Sequence, residues 1–380
     1  MDFPIQMGKV LYLIRKGLMI EINKLDKSLI FLVLIIFIIG VMCLYSASYN
    51  KSIELGKNFV FKQVSWMAIG LVILILFLII DYQTIIDFGY LLYGLGLGLL
   101  LLVLVFGHTR FGAQRWFSIA GFSVQPSEFN KIIYIIMMTA YLGHARARLV
   151  NIRGLIVPLL LTAPPFVLIL LQPDLGTALI LVPVLFAMLF VASAQPKHLL
   201  GLGLCGILTS PIFWNFLKAY QKKRLLVFLN PNMDPLGAGY TIIQSKIAIG
   251  SGGLAGKGWL AGTQNQLNFL PERHTDFIFS VIGEEWGFLG ALVVVGLYFL
   301  MLKRGLIILE RTTDTYGKLL GAGIITMLGF QIFVNISMTI GLMPVVGVPL
   351  PLISYGGSSL WTTIIAIALL LNVGMRRTRF

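Results

Sequence analysis

Apolar runs of about twenty residues recur along this chain, and they decide what it can fold into. The first, LIFLVLIIFIIGVMCL, fills residues 29–44, and another, GLVILILFLII, fills 70–80. A bilayer's hydrocarbon core, about 30 Å thick, takes about 20 apolar residues per helix. With 58% hydrophobic residues, 12% charged residues and a mean hydropathy of +0.91, no water-soluble core of 380 residues hides so much apolar surface. The fold class read from the sequence is an all-α polytopic membrane protein with ten transmembrane helices. Their approximate cores are 29–46, 60–80, 87–106, 127–143, 154–171, 175–193, 198–215, 277–302, 317–341 and 357–374. The run at 29–44 is long for a signal peptide and is followed by further spans, so it reads as a retained first helix after a cytoplasmic N-terminal segment, 1–28. Residues 29–380 then form a single membrane domain.

Charge placement orients the spans. With both termini inside, the inner segments hold sixteen Lys and Arg, among them Lys9, Arg15, Lys16, Arg146, Arg148, Arg153, Lys303, Arg304, Arg376, Arg377 and Arg379. The short outer loops hold Lys51, Lys57, Lys62, Arg110 and Arg115. This asymmetry predicts an N-in, C-in topology. The net charge of +14 is scattered among spans rather than gathered in a basic domain, which argues against nucleic acid as a partner. Cys43 and Cys205 both sit in apolar runs and suggest no disulfide framework.

One connection exceeds ordinary loop length. Residues 216–276, between spans seven and eight, form an extracytoplasmic loop. It holds KAYQKKR at 218–224, the turn-rich NPNMDPLGAGY, and a half-apolar, Gly-rich stretch at 242–262 that suits a short helix at the outer leaflet followed by a tight turn.

Polar groups in or beside a membrane are costly and call for a reason. Four clusters carry them, all on the outer side. FLPERHTDFIFSVIGEEWG places Asp276 directly before the eighth apolar run, either as an N-cap with Thr275 or as a chemical group; a helix start stabilises the carboxylate in both cases. Glu284 lies a little over two turns further on, where it should face protein, and with Glu285 it suits a buried polar contact or a partner-facing role. GAQRWFSIAGFSVQPSEFNK carries Arg115 and Trp116, then Glu128 and Lys131 three apart on one helical face, either a snorkelled pair or a functional one. LQPDLGTA puts Asp174 in a short outer turn, where a helix cap with Gly176 for close packing competes with catalysis. GLMPVVGVPLPLISYGGSS, with Ser354, is irregular and apolar, as backbone lining a cavity can be. There is no Walker A or GxGxxG motif, and His108, His144, His198 and His274 lack metal-ligand spacing.

In order and spacing these four motifs resemble the SEDS proteins, the shape, elongation, division and sporulation family of bacterial cell-wall polymerases. The resemblance spans nearly the whole chain, and the MPVVGVPLPL wording with a short C-terminal tail is most similar to the elongation branch. It implies a peptidoglycan glycosyltransferase that polymerises lipid II, undecaprenyl-pyrophosphoryl disaccharide-pentapeptide, on the outer face of the cytoplasmic membrane. It also implies a class B penicillin-binding protein transpeptidase as partner. The family's essential acid falls on Asp276, its loop Arg-Trp on Arg115 and Trp116, its fourth-span pair on Glu128 and Lys131, and its QPDLGTA acid on Asp174. Catalysis is then expected of Asp276, Glu128 and Lys131, and substrate binding of Arg115, Trp116, Arg273, Asp174 and Ser354. No cofactor or structural metal is called for, and a divalent cation is compatible with the chemistry. Asn130 and Asn268 depart from the family pattern, the latter where an acid is common. Chemically, such a reaction needs a base for the acceptor's sugar 4-hydroxyl and positive charge for the departing pyrophosphate. A lipid-precursor flippase and a non-enzymatic scaffold of the wall-synthesis complex are the competing readings.

Overall fold

The computed structural model describes residues 24–56, 58–110, 113–119, 122–145, 149–216, 219–237 and 239–376. Most of the expected cytoplasmic segment 1–28 lies outside these residues, as do Lys57, Arg146, Arg148, Lys218, Arg377 and Arg379. Helices occupy every stretch expected to span. In chain order the first are α1 (Lys27–Leu55), α2 (Phe59–Ile79), the short α3 (Tyr82–Asp87), α4 (Gly89–Phe106), α5 (Pro126–Ala145), α6 (Ile156–Leu171), α7 (Leu175–Val191) and α8 (Pro196–Phe216). After α9 (Ala219–Leu229), α10 (Tyr240–Ser251), α11 (Thr263–Gln266) and α12 (Ile278–Glu285) come α13 (Gly287–Arg311), α14 (Thr315–Thr339) and α15 (Gly357–Arg376). Among the described residues, seven helices are long and apolar enough to cross a membrane. They are α1, α2, α4, α6 with the turn before it, α13, α14 and α15. The helix α5 carries Glu128 and Lys131, and α7 has only 17 residues.

Helix α14 packs on α7 and α5, α15 packs on α2, and α4 packs on α5. Together α5, α14 and α15 form the buried centre, while α2, α4 and α13 keep wide apolar faces outward. Polar side chains tie the helix ends. Asn372 Nδ2 donates to the carbonyls of Phe77 (2.5 Å) and Ile80 (2.6 Å), and Arg376 pairs with Asp81 at 3.3 Å.

Two expectations need correction. The chain is not all-α: residues 108–124 form a three-stranded antiparallel sheet of β1 (His108–Arg110), β2 (Ala113–Ile119) and β3 (Phe122–Val124). Phe117 pairs with Val124 and Trp116 with His108, a meander that satisfies the backbone of a loop too long for a tight turn. The eighth span does not begin at 277. The helix breaks at Trp286–Gly287, where Gly287 takes φ +65, so the spanning helix is α13 and the preceding α12 is a separate, wholly buried turn of chain.

The Gly-rich stretch after α10 explains how that break is tolerated. Lys257 and Gly258 donate their backbone N–H groups to the carbonyls of Glu284 and Glu285, each at 3.0 Å. In return Phe288 and Leu289 donate theirs to Gly253 (2.9 Å) and Leu254 (3.1 Å). The backbone groups stranded at the end of one helix and the start of the next are therefore paired by a strap of chain. Only glycine fits at 256: with φ +82, a Cβ there would lie 2.2 Å from the Glu285 carbonyl oxygen.

The two acids of GEEWG serve the same strap. Buried Glu284 accepts from Lys257 Nζ (2.8 Å), Thr263 Oγ1 (3.2 Å) and the N–H groups of Gln264 (2.9 Å) and Asn265 (3.2 Å), capping α11 from a distance in sequence. Glu285 accepts from Ser46 of α1 and from Asn265 Nδ2. Both are buried polar contacts.

Gly256→Ala is expected to destabilise the fold by about 2–4 kcal/mol, combining a left-handed φ with a backbone collision. Gly253→Ala has φ +55 but nothing within 4 Å of the added Cβ, so about 1 kcal/mol is expected there. Thermal unfolding of the two variants in detergent checks the difference.

Candidate active site

Asp276 stands immediately before α12, yet it does not cap it. Phe277 is the N-cap residue and no side chain caps that helix, while Thr275 Oγ1 turns back to Glu272. The carboxylate is therefore not consumed by the helix start. Its backbone is held from three directions. Asn335 Nδ2 on α14 donates to the carbonyls of Asp276 (2.9 Å) and Val348 (2.7 Å). Ser354 Oγ donates to the Thr275 carbonyl (2.6 Å) and accepts from the Leu350 N–H (2.8 Å). The Tyr355 N–H reaches the His274 carbonyl at 3.0 Å. The irregular 341–356 segment thus cradles the Asp276 loop. Gly347, at φ +74, comes so close that a Cβ on it would lie 3.4 Å from Asp276 Oδ2. Three non-glycine residues nearby, Asn268, Glu272 and Leu352, hold left-handed backbone at φ 61, 48 and 67, strain of the sort that persists where surrounding contacts over-determine a functional loop.

Burial dominates the electrostatics of Asp276 and pushes its pKa up to about 6. Neighbouring Glu272 adds to that, Arg224 and Arg115 oppose it, and Asp174 adds again. A carboxylate poised near the working pH, with acids and guanidiniums around it, is what proton transfer requires. His274 is pushed the other way, to about 4, by burial and by Lys51 and Arg273, so its ring is neutral at pH 7. That ring packs on Phe59 and Tyr355 at centroid distances of 5.5 and 5.9 Å.

Arg115 and Asp174 come together beside this loop. Asp174 caps α7 through the Thr177 N–H (3.2 Å) and also accepts from Gln125 Nε2 (2.9 Å) and Ser127 Oγ (3.2 Å). Arg115 donates to the carbonyls of Gln172 (2.9 Å) and Pro173, stands 3.6 Å from Asp174 Oδ1, and lies over the Trp116 ring at 5.9 Å. Gly176 makes the close contact its sequence suggests, since a Cβ there would lie 2.7 Å from the Val346 carbonyl oxygen. The QPDLGTA turn, the Arg115 strand and the 341–356 segment are therefore one packed unit around Asp276.

The remaining predicted residues lie inside the protein. Lys131 Nζ and Glu128 Oε1 pair at 2.8 Å with side-chain exposures of 1% and 4%, which excludes snorkelling. The second Glu128 oxygen is buried with no protein partner. Arg273 does not face Asp276; its buried guanidinium donates to the Ala47 carbonyl (2.7 Å) and to Asn268 Oδ1 (2.5 Å), bracing α1. Ser354 is buried beneath the loop rather than open beside it. Sequence reasoning passed over Arg224, Glu272 as a neighbour of Asp276, and Asn335. Of these only Asn335, an amide within an apolar helix, gave a signal of its own. Among the described residues no three His, Cys, Asp or Glu gather to hold a metal ion.

Residues 26–379 match the family model of the FtsW, RodA and SpoVE cell cycle proteins. The chain is 39% identical to the peptidoglycan glycosyltransferase MrdB of Escherichia coli K12 over 357 residues, covering 93% of this chain and 94% of that protein. It is 33% identical to the peptidoglycan glycosyltransferase RodA of Treponema pallidum, covering 94% and 99% of the two chains. Among solved structures, one described as "Structural coordination of polymerization and crosslinking by a peptidoglycan synthase complex" superposes with a TM-score of 0.80 at 36% identity, over 94% of this chain and 99% of that one. The rod shape determining protein RodA of Thermus thermophilus superposes at 0.69 with 32% identity, over 93% and 98%.

The raised pKa of Asp276 carries a stability consequence with a definite sign. Its folded value near 6 exceeds the ordinary 3.8, so the fold is favoured with the group protonated and loses stability as pH rises through 6. Asp276→Asn removes the charge and is expected to stabilise by about 1–3 kcal/mol at pH 7.5, with a smaller gain at pH 5. Thermal midpoints at the two pH values check this.

Proposed function

The chain belongs to the FtsW, RodA and SpoVE family of cell cycle proteins, and from that membership we propose that it is a peptidoglycan glycosyltransferase polymerising lipid II during rod-shape elongation. The observation that carries the mechanistic part is Asp276, a half-buried carboxylate left unspent by its helix and raised by burial to about 6. In this reading Asp276 takes the proton from the acceptor sugar's 4-hydroxyl as that oxygen bonds to the donor's anomeric carbon. The bond to the lipid pyrophosphate breaks, and its electron pair leaves with the pyrophosphate. Arg115 and Asp174 shape the wall beside the base, with Trp116 as an aromatic face for a sugar or lipid contact. The buried Glu128–Lys131 pair sets the field beneath that wall and fixes the start of α5. The irregular 341–356 segment and Ser354 hold the base in place.

The membrane arrangement proposed with it is ten spans, N-in and C-in, in a multi-pass protein of the bacterial cytoplasmic membrane. The 216–276 loop lies outside between helices seven and eight, and residues 29–380 form one domain. Lipid II fits this geometry because its tail stays in the bilayer while its sugars reach the half-buried carboxylate of Asp276. Similarity to a structure from a peptidoglycan synthase complex supports a transpeptidase of the penicillin-binding class as partner.

Purified wild type is expected to polymerise lipid II, alone or with its transpeptidase. Folded Asp276→Asn is expected to lose at least about a hundredfold in rate, as removal of a positioned base does. Polymer formation is read on gels, with folding of both proteins checked by thermal unfolding. Equal polymer from both proteins would remove Asp276 as the base; none from wild type with its partner would return the flippase and scaffold readings.

A further inference from the structure

An amide in the middle of the protein holds the Asp276 loop. Asn335 lies one turn before the end of α14 and is wholly buried. Its Nδ2 carries two N–H donors, and they go to carbonyls of two different segments, Asp276 at 2.9 Å and Val348 at 2.7 Å. Its Oδ1 is buried as well and takes no hydrogen bond from the protein. An unpaired buried oxygen is costly, and a leucine in its place would avoid that cost. What the amide supplies at this position is its two donors.

Both carbonyls border the carboxylate. One is Asp276's own. The other belongs to the residue after Gly347, and a Cβ on Gly347 would lie 3.4 Å from Asp276 Oδ2. One side chain therefore ties the backbone that carries the carboxylate to the backbone packed against it. The helix bearing Asn335 is itself anchored close by. One turn on, the Thr339 carbonyl accepts from Ser245 Oγ of α10 at 2.6 Å, and Ser245 Oγ also hydrogen-bonds Ser280 Oγ of α12 at 2.6 Å. Asp276 and the first turn of α12 are thus fixed to the same helix.

Resting on the glycosyltransferase reading above, we propose that Asn335 is a positioning residue for the reaction, its clasp on two carbonyls fixing the Asp276 carboxylate against Gly347 and so its reach to the acceptor hydroxyl. Asn335 touches no reacting atom and acts through the backbone of Asp276. A misplacement of about 1 Å costs about a hundredfold in rate, so a loosened loop slows the chemical step while substrate binding persists. The acid's titration moves too. Glu272, Arg224, Arg115 and Asp174, the charged groups that act on Asp276, all remain when Asn335 is replaced. Burial is the largest cause of the raised pKa, and burial is what a released loop gives up. The pKa then falls toward that of an ordinary carboxylate.

The test compares the full-length purified chain with Asn335→Leu, Asn335→Ser and Tyr298→Phe. Leucine matches asparagine in size and lacks the donors, while serine keeps one donor on a shorter stem. Tyr298→Phe removes a different bond to the same segment, from the phenol to the Pro351 carbonyl at 2.5 Å, and leaves the Asp276 peptide untouched. Lipid II polymerisation is followed against substrate concentration and pH. For Asn335→Leu, kcat is expected to fall about tenfold to a hundredfold with KM within about threefold, and the acidic limb of the pH profile to move to lower pH. Asn335→Ser is expected to show the same changes at smaller size, and carries the comparison if Asn335→Leu does not fold. Tyr298→Phe is expected to lower the thermal midpoint, keep kcat within about threefold and leave the acidic limb in place. An acidic limb that stays in place in the Asn335 variants, or that moves equally in Tyr298→Phe, overturns the proposal. A second readout needs no activity: the thermal midpoints of the chain and of Asp276→Asn at pH 5 and 7.5, each with and without Asn335→Ser. The proposal expects the pH-dependent difference between Asp276 and Asp276→Asn to shrink with Asn335→Ser, and an unchanged difference contradicts it. Absence of polymer from wild type sinks the glycosyltransferase reading, and the thermal comparison alone then decides whether Asn335 fixes the carboxylate.

Discussion

The constraint on which this structure turns is the pairing of backbone groups where a membrane helix is broken. At Trp286–Gly287 one helix ends and another begins, and the backbone groups stranded there, buried in protein, are costly unless paired. The Gly253–Gly258 strap supplies two donors and two acceptors to the break, and Glu284 ties the strap to α11 through four further contacts. With the break satisfied, α12 is free to sit as a short buried element, separate from the spanning helix that follows. Asp276 rides at its leading end.

A second layer of constraint comes from charge. Asp276 is surrounded by protein, with Glu272 and Asp174 raising its pKa and Arg224 and Arg115 lowering it. The acid is held between opposing charges rather than neutralised by one partner, which leaves a carboxylate able to exchange a proton near neutral pH. Directly paired charges behave differently. Glu128 with Lys131, and Glu284 with Lys257, are each paired at 2.8 Å. Breaking such a buried pair by removing one member costs about 3–5 kcal/mol, because the other is stranded. Activity lost on substituting Glu128 or Lys131 therefore mixes folding with chemistry.

Much of this was legible in the sequence, for physical reasons. Apolar length gave the spans, because a bilayer imposes one on any helix that crosses it. Polar residues beside apolar runs singled out the Arg115, Asp174 and Asp276 segments, which pack together in the structure, because such residues are expensive there. The QPDLGTA motif yielded both its cap at Asp174 and its close packing at Gly176. Other features depended on contacts distant in sequence. Nothing local distinguishes Arg273, which braces α1, from Arg224, which reaches toward the Asp276 loop; both are arginines in the same long loop. The break at Gly287 was hidden because the residues on either side, IFSVIGEEWGFLGALVV, read as one helical pattern. The hydrogen bonds that allow it come from Gly253, Leu254, Lys257 and Gly258, some thirty residues earlier. The small sheet was missed because strands of three to seven residues carry little periodicity.

A role for Asp276 as a base with a pKa raised by its surroundings is tested most directly by the pH dependence of lipid II polymerisation by the wild-type chain. An acidic limb with its midpoint near pH 6, following deprotonation of Asp276, is expected. A rate that stays level down to about pH 4.5, where an ordinary carboxylate would still be largely ionised, would contradict it.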